Sequence, residues 1–258
     1  MNLLLFRPHE CSPEGQLRVT GRRAQHLRQV LQAKPGDELQ VGQIDGLIGT
    51  AKLAAIDAHS ATLQVQLHHA APTKLPVTLL VALPRPKMLR RILRSAAEFG
   101  VREIHLLNSY RVEKSYWQTP VLAPDVIEEY LLQGLEQARD TVLPAVHLQR
   151  RFKPFVEDVL PGLIAGQCAL LAHPGAGPLA PTALTENTVL VVGPEGGFIP
   201  YEVEKLLMAG CRQISLGTAC ASAVGAPRTG TGFQPRTCVA APPQNHRYRR
   251  IPPGRYPR

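Results

Sequence analysis

The sequence predicts an α/β protein in two parts: a small β-rich unit over residues 1–70, then a mostly parallel sheet wrapped by helices over 77–217. Three observations carry this. Short strand-like runs separated by turn residues fill positions 37–69. From Val77 onward, apolar strand-like runs alternate with amphipathic helical ones, the pattern of a sheet covered on both faces. Between them, residues 71–76 carry two prolines and read as a linker. A chain of 258 residues can bury cores of both kinds.

In the first part, "RRAQHLRQVLQ" predicts one helix with Leu27, Val30 and Leu31 on a single face. Lys34-Pro35-Gly36-Asp37 stops it with turn chemistry. "DELQVGQI", "LIGTAKLAAID" and "ATLQVQLHH" follow as strands, spaced as in a compact barrel. In the second part, "VTLLVAL" has the uniformly apolar character of a buried parallel strand. "KMLRRILRSAAEFG" repeats apolar pairs at Met88/Leu89, Ile92/Leu93 and Ala96/Ala97, a helix stopped by Gly100. "REIHLLNS" is the next strand and "APDVIEEYLLQGLEQA" a long helix. "CALLAHP" and "TVLVVGPEGG" are strands, "YEVEKLLMAG" a helix and "CRQISLG" a last strand. From Thr218 the composition changes to dense Pro, Gly and Arg with no leucine, so residues 218–258 are predicted to form no packed structure. The abruptness of that change resembles a shift of reading frame.

The net charge is +9, but seven arginines and no acid lie after Gly217, leaving only +2 before it. Nucleic-acid binding must therefore rest on local clusters rather than on the total. Five scattered cysteines form no C-x-x-C pair and predict reduced thiols. The nine histidines show no metal-ligand spacing, and no metal is implied. No apolar run reaches membrane-spanning length and the N-terminus lacks a signal pattern, so no membrane association and a cytoplasmic location are expected.

Three predicted strands end in glycine- or proline-bearing loops: "LLAHPGAG", "VVGPEGG" and "ISLG". In an open parallel sheet, ligands bind beyond the carboxyl ends of strands. Gly193, Gly196 and Gly197 let a ligand approach bare backbone, although a tight strand-to-helix turn would also use them. The loop matches neither the phosphate-loop nor the dinucleotide fingerprint.

These residues resemble a known family. "VLVVGPEGGFIPYEVEKLLMAGCRQISLG" looks like the C-terminal signature of RsmE-type ribosomal RNA methyltransferases of the SPOUT class. "HLRQVLQAKPGDELQV" is similar to their PUA-like N-terminal domain. "LLVALPRPKMLRRILRSAAEFGVREIHLLNSYRVEKSYW" and "LEQARDTVLPAV" are similar to central blocks. The resemblance covers roughly residues 1–217. It implies a trefoil-knotted sheet with a PUA-like barrel, S-adenosylmethionine as cofactor, and methylation of uridine N3 in 16S rRNA within the small ribosomal subunit by a homodimer. It places Leu171, His173 and Pro174 in the first knot loop. Gly193, Pro194, Glu195, Gly196 and Gly197 fall in the second, and Leu216 and Gly217 at the start of the third. The Arg- and Glu-bearing segment that follows in the family has no counterpart here, so no catalytic residue is assigned. An RNA-binding protein that keeps the fold without turnover is the alternative.

Arg111 and Lys114, beside Tyr110, Tyr116 and Trp117, mix cations with stacking surfaces as RNA contacts do, though the aromatics could equally pack inside. Arg139 ends a helix, where it caps carbonyls or, as the resemblance implies, meets substrate. Arg22, Arg23 and Arg28 give the small domain a basic edge, and Lys87, Arg90, Arg91 and Arg94 form the polar face of their helix. Each of these two groups reads as RNA contact or as a solvated face.

Overall fold

The computed structural model describes residues 2–174, 177–182 and 184–215. Leu216, Gly217 and the 218–258 tail lie outside the described residues, and so do the expectations placed on them.

The N-terminal sheet takes β1 (Leu4–Phe6), β2 (Gln16–Thr20), β3 (Glu38–Gln43), β4 (Ile48–Ile56) and β5 (Ser60–His69) in the order β1-β3-β4-β5-β2. β3, β4 and β5 form an antiparallel meander, while β1 joins β3 in parallel. Alternate residues line one small core: Leu17 and Val19, Ala51 and Leu53, Ala61, Leu63 and Val65. Period-two burial is what a half-covered sheet requires. The barrel is an open one, with β1 and β2 as its edges. Helix α1 (Gly21–Gln29) adds Leu27 to this core. It is shorter than predicted: Val30 and Leu31 fall beyond its last turn and are exposed. The chain must leave the helical path at Gln32, whose φ of 51° is left-handed.

The second sheet takes β6 (Leu75–Ala82), β7 (Val101–Leu107), β8 (Ala145–Gln149), β9 (Cys168–Ala172), β10 (Thr188–Val192) and β11 (Arg212–Ile214) in the order β11-β9-β10-β6-β7-β8, all parallel. β6 begins at Leu75, inside the segment predicted as linker. Helices α2 (Pro86–Glu98) and α3 (Pro124–Ala138) link β6 to β7 and β7 to β8. Later crossovers run the other way along the sheet, through α4 (Phe152–Pro154), a π-turn at Phe155–Val159 and α5 (Leu160–Ile164), and then through α6 (Pro200–Met208). Because such crossovers are right-handed, the two sets of helices cover opposite faces. The π-turn sits just before Pro161, which cannot donate to the preceding turn; the Leu160 N–H instead reaches Phe155 O.

α2 buries Leu89, Leu93, Ala96 and Ala97, the predicted face. It meets α3 at Gly134, where an added Cβ would lie 2.3 Å from the Arg94 carbonyl oxygen. β1 joins the two cores, since Leu4 and Phe6 enter the small one while Leu3 and Leu5 enter the large one. Backbone and ionic contacts complete this seam. The N–H groups of Asn2 and Leu3 donate to Glu136 O, Asp45 N–H to Thr141 O, and Lys74 Nζ to Asp140 at 2.7 Å.

Candidate functional site

The strand order reverses direction between β6 and β10, and the carboxyl ends of these strands open the crevice where ligands of such sheets bind. Leu83-Pro84-Arg85 follows β6 and the glycine loop follows β10, with the loops after β7, β9 and β11 at the same end of the sheet.

The glycine loop is a turn closed by Gly197 N–H to Pro194 O at 2.7 Å. Gly197 has φ of 73°, which an L side chain adopts only with strain. At Gly193 an added Cβ would press on the Phe198 ring at 3.1 Å. Among the described residues, the N–H groups of Glu195 and Gly196 have no protein acceptor. Bare backbone with unpaired donors suits a polar ligand that lies against the chain.

Two side chains outside the turn fix this loop. The Arg111 guanidinium, on the loop after β7, donates to Gly196 O. Glu202 is almost fully buried at the start of α6. One of its oxygens accepts from Ile199 N–H at 3.1 Å and the other from Tyr110 N–H at 2.7 Å. A single carboxylate therefore caps α6 and ties the β7 loop to the β10 loop. Glu195 pairs instead with Arg85 across 3.6 Å of exposed surface, over the β6/β10 crevice. Sequence reading missed Arg85 and Glu202. A Glu at the third helical position signals locally only a helix start, and the second partner, 92 residues away, leaves no local signal.

His173 and Pro174 follow β9, and His173 N–H donates to Ile214 O. Burial, then the nearby Arg111 charge, pushes the His173 pKa below the usual imidazole value. Both effects favour the neutral ring. Leu171 is different: it lies within β9, paired with Val191, and its side chain is wholly in the core. Any role in a ligand site falls to its backbone.

The arginines and lysine predicted to meet RNA divide into two groups. Arg111 and Lys114 are exposed at the carboxyl end of the sheet, with Tyr110 projecting into solvent. Tyr116 and Trp117 pack against the core, and Trp117 Nε1 donates to Asn108 Oδ1. Arg139 caps α3 in a left-handed conformation, exposed, at the amino end of the sheet. Arg22 pairs there with buried Glu136 at 3.0 Å, and Arg23 pairs with Glu10 and donates to Leu5 O. On α2, Arg94 donates to Gln133 and Arg90 lies over the Tyr130 ring.

Comparison with known proteins agrees with this architecture. A family model described as an RNA methyltransferase domain matches residues 71–221, more than half the chain. The chain belongs to the RNA methyltransferase family. A model for that family's PUA domain matches residues 19–66, which take in α1, β3, β4 and most of β5 of the N-terminal part. A Treponema pallidum protein named Ribosomal RNA small subunit methyltransferase E is 30% identical over 160 residues, covering 60% of this chain and 59% of that protein. A Synechocystis protein of the same name is 29% identical over 217 residues, covering 83% of this chain and 71% of its own. The match to the Treponema protein thus spans less than two thirds of its length. The crystal structure of a Ribosomal RNA small subunit methyltransferase E from Neisseria gonorrhoeae, bound to S-adenosyl methionine, superposes with a TM-score of 0.63 at 20% identity. It covers 86% of this chain and 95% of that one, and establishes the shared fold: a SPOUT-type sheet with a PUA-like domain.

Proposed function

We propose that this family member transfers a methyl group from S-adenosylmethionine to N3 of a uridine in 16S rRNA, in the cytoplasm and on the small ribosomal subunit. The observation that carries this reading is the Arg111 contact to Gly196 O. It sets an exposed cation, suited to RNA, against a turn of bare backbone, suited to a cofactor. The turn fits the cofactor's amino-acid and ribose groups: it offers N–H donors at Glu195 and Gly196 that have no acceptor among the described residues, and no side chain at Gly193, Gly196 or Gly197. His173 and Pro174 flank it, and the Leu171 backbone supports their loop. When bound, S-adenosylmethionine supplies an electrophilic methyl group on sulfonium.

The protein's part is alignment and charge. Holding nucleophile and methyl group in line converts a bimolecular encounter into an oriented one. Uracil N3 must lose its proton, to solvent, to become nucleophilic, and negative charge then spreads onto the flanking carbonyl oxygens. Arg111, already aimed at the loop, stabilises that charge. Lys114 and exposed Tyr110 extend the RNA contact. Arg139 offers a further cation at the amino end of the sheet. Arg22 and Arg23, held by Glu136 and Glu10, shape the domain seam and reach RNA only through their remaining donors. A second copy of the chain completes the assembly; the exposed apolar side chains of Tyr201, Leu207 and Met208 on α6 favour such a homodimer.

The test is labelled methyl transfer to small subunits from a strain lacking this modification, followed by nuclease digestion. Label in 3-methyluridine is expected, and label in another nucleoside overturns the base assignment. Binding of cofactor and RNA without transfer assigns the chain to the non-catalytic alternative. Arg111→Ala with Lys114→Ala should weaken RNA binding and flatten its salt dependence, since fewer counterions are released. An unchanged slope would move the RNA path elsewhere.

A further inference from the structure

The edge of the parallel sheet carries a group of side chains unrelated to the glycine loop. β7 and β8 pair in parallel with His105 opposite His147, and Glu103 stands two residues before His105 on the same face. Glu103 Oε1 lies 3.1 Å from His105 Nε2 and 3.0 Å from His147 Nε2. The imidazoles stack with centroids 4.6 Å apart. His105 is buried against Phe155, whereas Glu103 and His147 reach the surface.

We propose that Glu103, His105 and His147 form a binding site for a divalent transition-metal ion such as Zn²⁺. The donor set suits it: two imidazole nitrogens and one carboxylate oxygen are a borderline-soft combination that zinc and its neighbours prefer. The spacing suits it as well. Zinc bonds of about 2.0–2.2 Å at tetrahedral angles place ligand atoms roughly 3.3–3.5 Å apart. All three donor atoms already lie within 4.8 Å of one another, and two of the separations need widen by only a few tenths of an ångström. Gln149 sits 3.4 Å from His105 Nδ1. With Nε2 on the metal, Nδ1 carries the proton, and a half-turn of the Gln149 amide gives it an acceptor, the usual outer support of a histidine ligand.

Three protein ligands leave a position open on the exposed His147 side. The chain therefore offers either a closing solvent ligand or a place for an external donor. Either way, the ion would bridge β7 to the edge strand β8, which is otherwise held from one side only. Sequence spacing hides the group because its members come together through strand register. His68 and His69, adjacent on β5 with rings 4.3 Å apart, are the competing surface pair that a binding experiment must separate.

The experiment is titration of chelator-treated full-length protein with Zn²⁺ by calorimetry and with Co²⁺ by visible absorption. One ion per chain is expected, with d–d bands of a four- or five-coordinate N/O site and a raised melting temperature. Glu103→Gln and His147→Ala, both at partly exposed positions, should each weaken binding at least ten-fold while keeping the circular dichroism spectrum. The double variant His68→Ala/His69→Ala should bind as the parent does. Absence of saturable binding, binding that survives both site variants, or binding lost with the 68/69 pair overturns the proposal.

Discussion

At the residue scale, Glu202 joins two loops through two backbone donors that no other group among the described residues serves. Glu202→Gln keeps the shape but turns an amide nitrogen toward one of those N–H groups. Loss of a charge-assisted bond in a buried place costs about 1–3 kcal/mol. Denaturant unfolding should show that loss, and calorimetry should show weaker S-adenosylmethionine binding; full stability and affinity would mean the loops hold themselves. Gly196→Val tests the proposed pocket directly. Its added Cβ meets the flexible Arg111 Cδ at 3.1 Å, so the protein should fold while cofactor affinity falls. Undiminished affinity in a folded variant would move the pocket. A third residue reports on acid stability. Asp57, in the turn between β4 and β5, accepts bonds from His59 N–H, Ser60 N–H and Ser60 Oγ, which lower its pKa from 3.8 to about 2. A depressed carboxylate pKa adds stability that is complete above the unfolded value and disappears as pH falls through the folded one. Asp57→Asn should therefore melt below the parent at pH 6, with the gap closing between about pH 4 and pH 2. A gap constant over that range would assign the effect to packing.

At the element scale, the contact between α2 and α3 rests on Gly134. Alanine would raise intrinsic helix propensity by about 1 kcal/mol. Against this, its methyl group meets the Arg94 carbonyl and Ala97 Cβ, at 2.3 and 2.8 Å. Overpacking of this kind costs about 1–3 kcal/mol, so Gly134→Ala should lower the denaturation midpoint; a rise would show slack between the helices. The long elements were legible in the sequence because periodicity reports burial directly: α2, α3, β6 and β10 lie where the apolar spacing puts them. Some shorter ones were not. β8 is an edge strand with exposed Ala145, His147 and Leu148, so it lacks the apolar run of its neighbours. β1 has only three residues, divided between two cores. The helical run at 152–164 carries prolines at 154 and 161, which read as breakers and are absorbed by the π-turn. For the candidate site, the glycine loop and Arg111 were visible as residue types. Their mutual contact, and the ties through Arg85 and Glu202, needed the strand order.

At the scale of the molecule, the two parts are tied by hydrogen bonds and by β1, whose side chains enter both cores, so neither behaves as a bead on a linker. Thr141 alone accepts from Asp45 N–H through its carbonyl and donates from Oγ1 to Gly46 O at 2.6 Å. Asp45, held at φ of 55°, accepts in turn from Leu143 N–H. Calorimetry should show one unfolding transition for both sheets. Asp45→Ala, which frees that N–H at the seam, should broaden or divide it, and two transitions in the parent would show the seam to be weak. The same seam sets a schedule for synthesis. β1 leaves the ribosome early, yet Glu136 and Thr141 follow it by well over a hundred residues, roughly 7–27 s at ordinary elongation rates of about 5–20 residues per second. Throughout that interval Leu3 and Leu5 have no core to enter, and nascent chains stalled before Ala138 should bind chaperones that chains extended past Leu143 release.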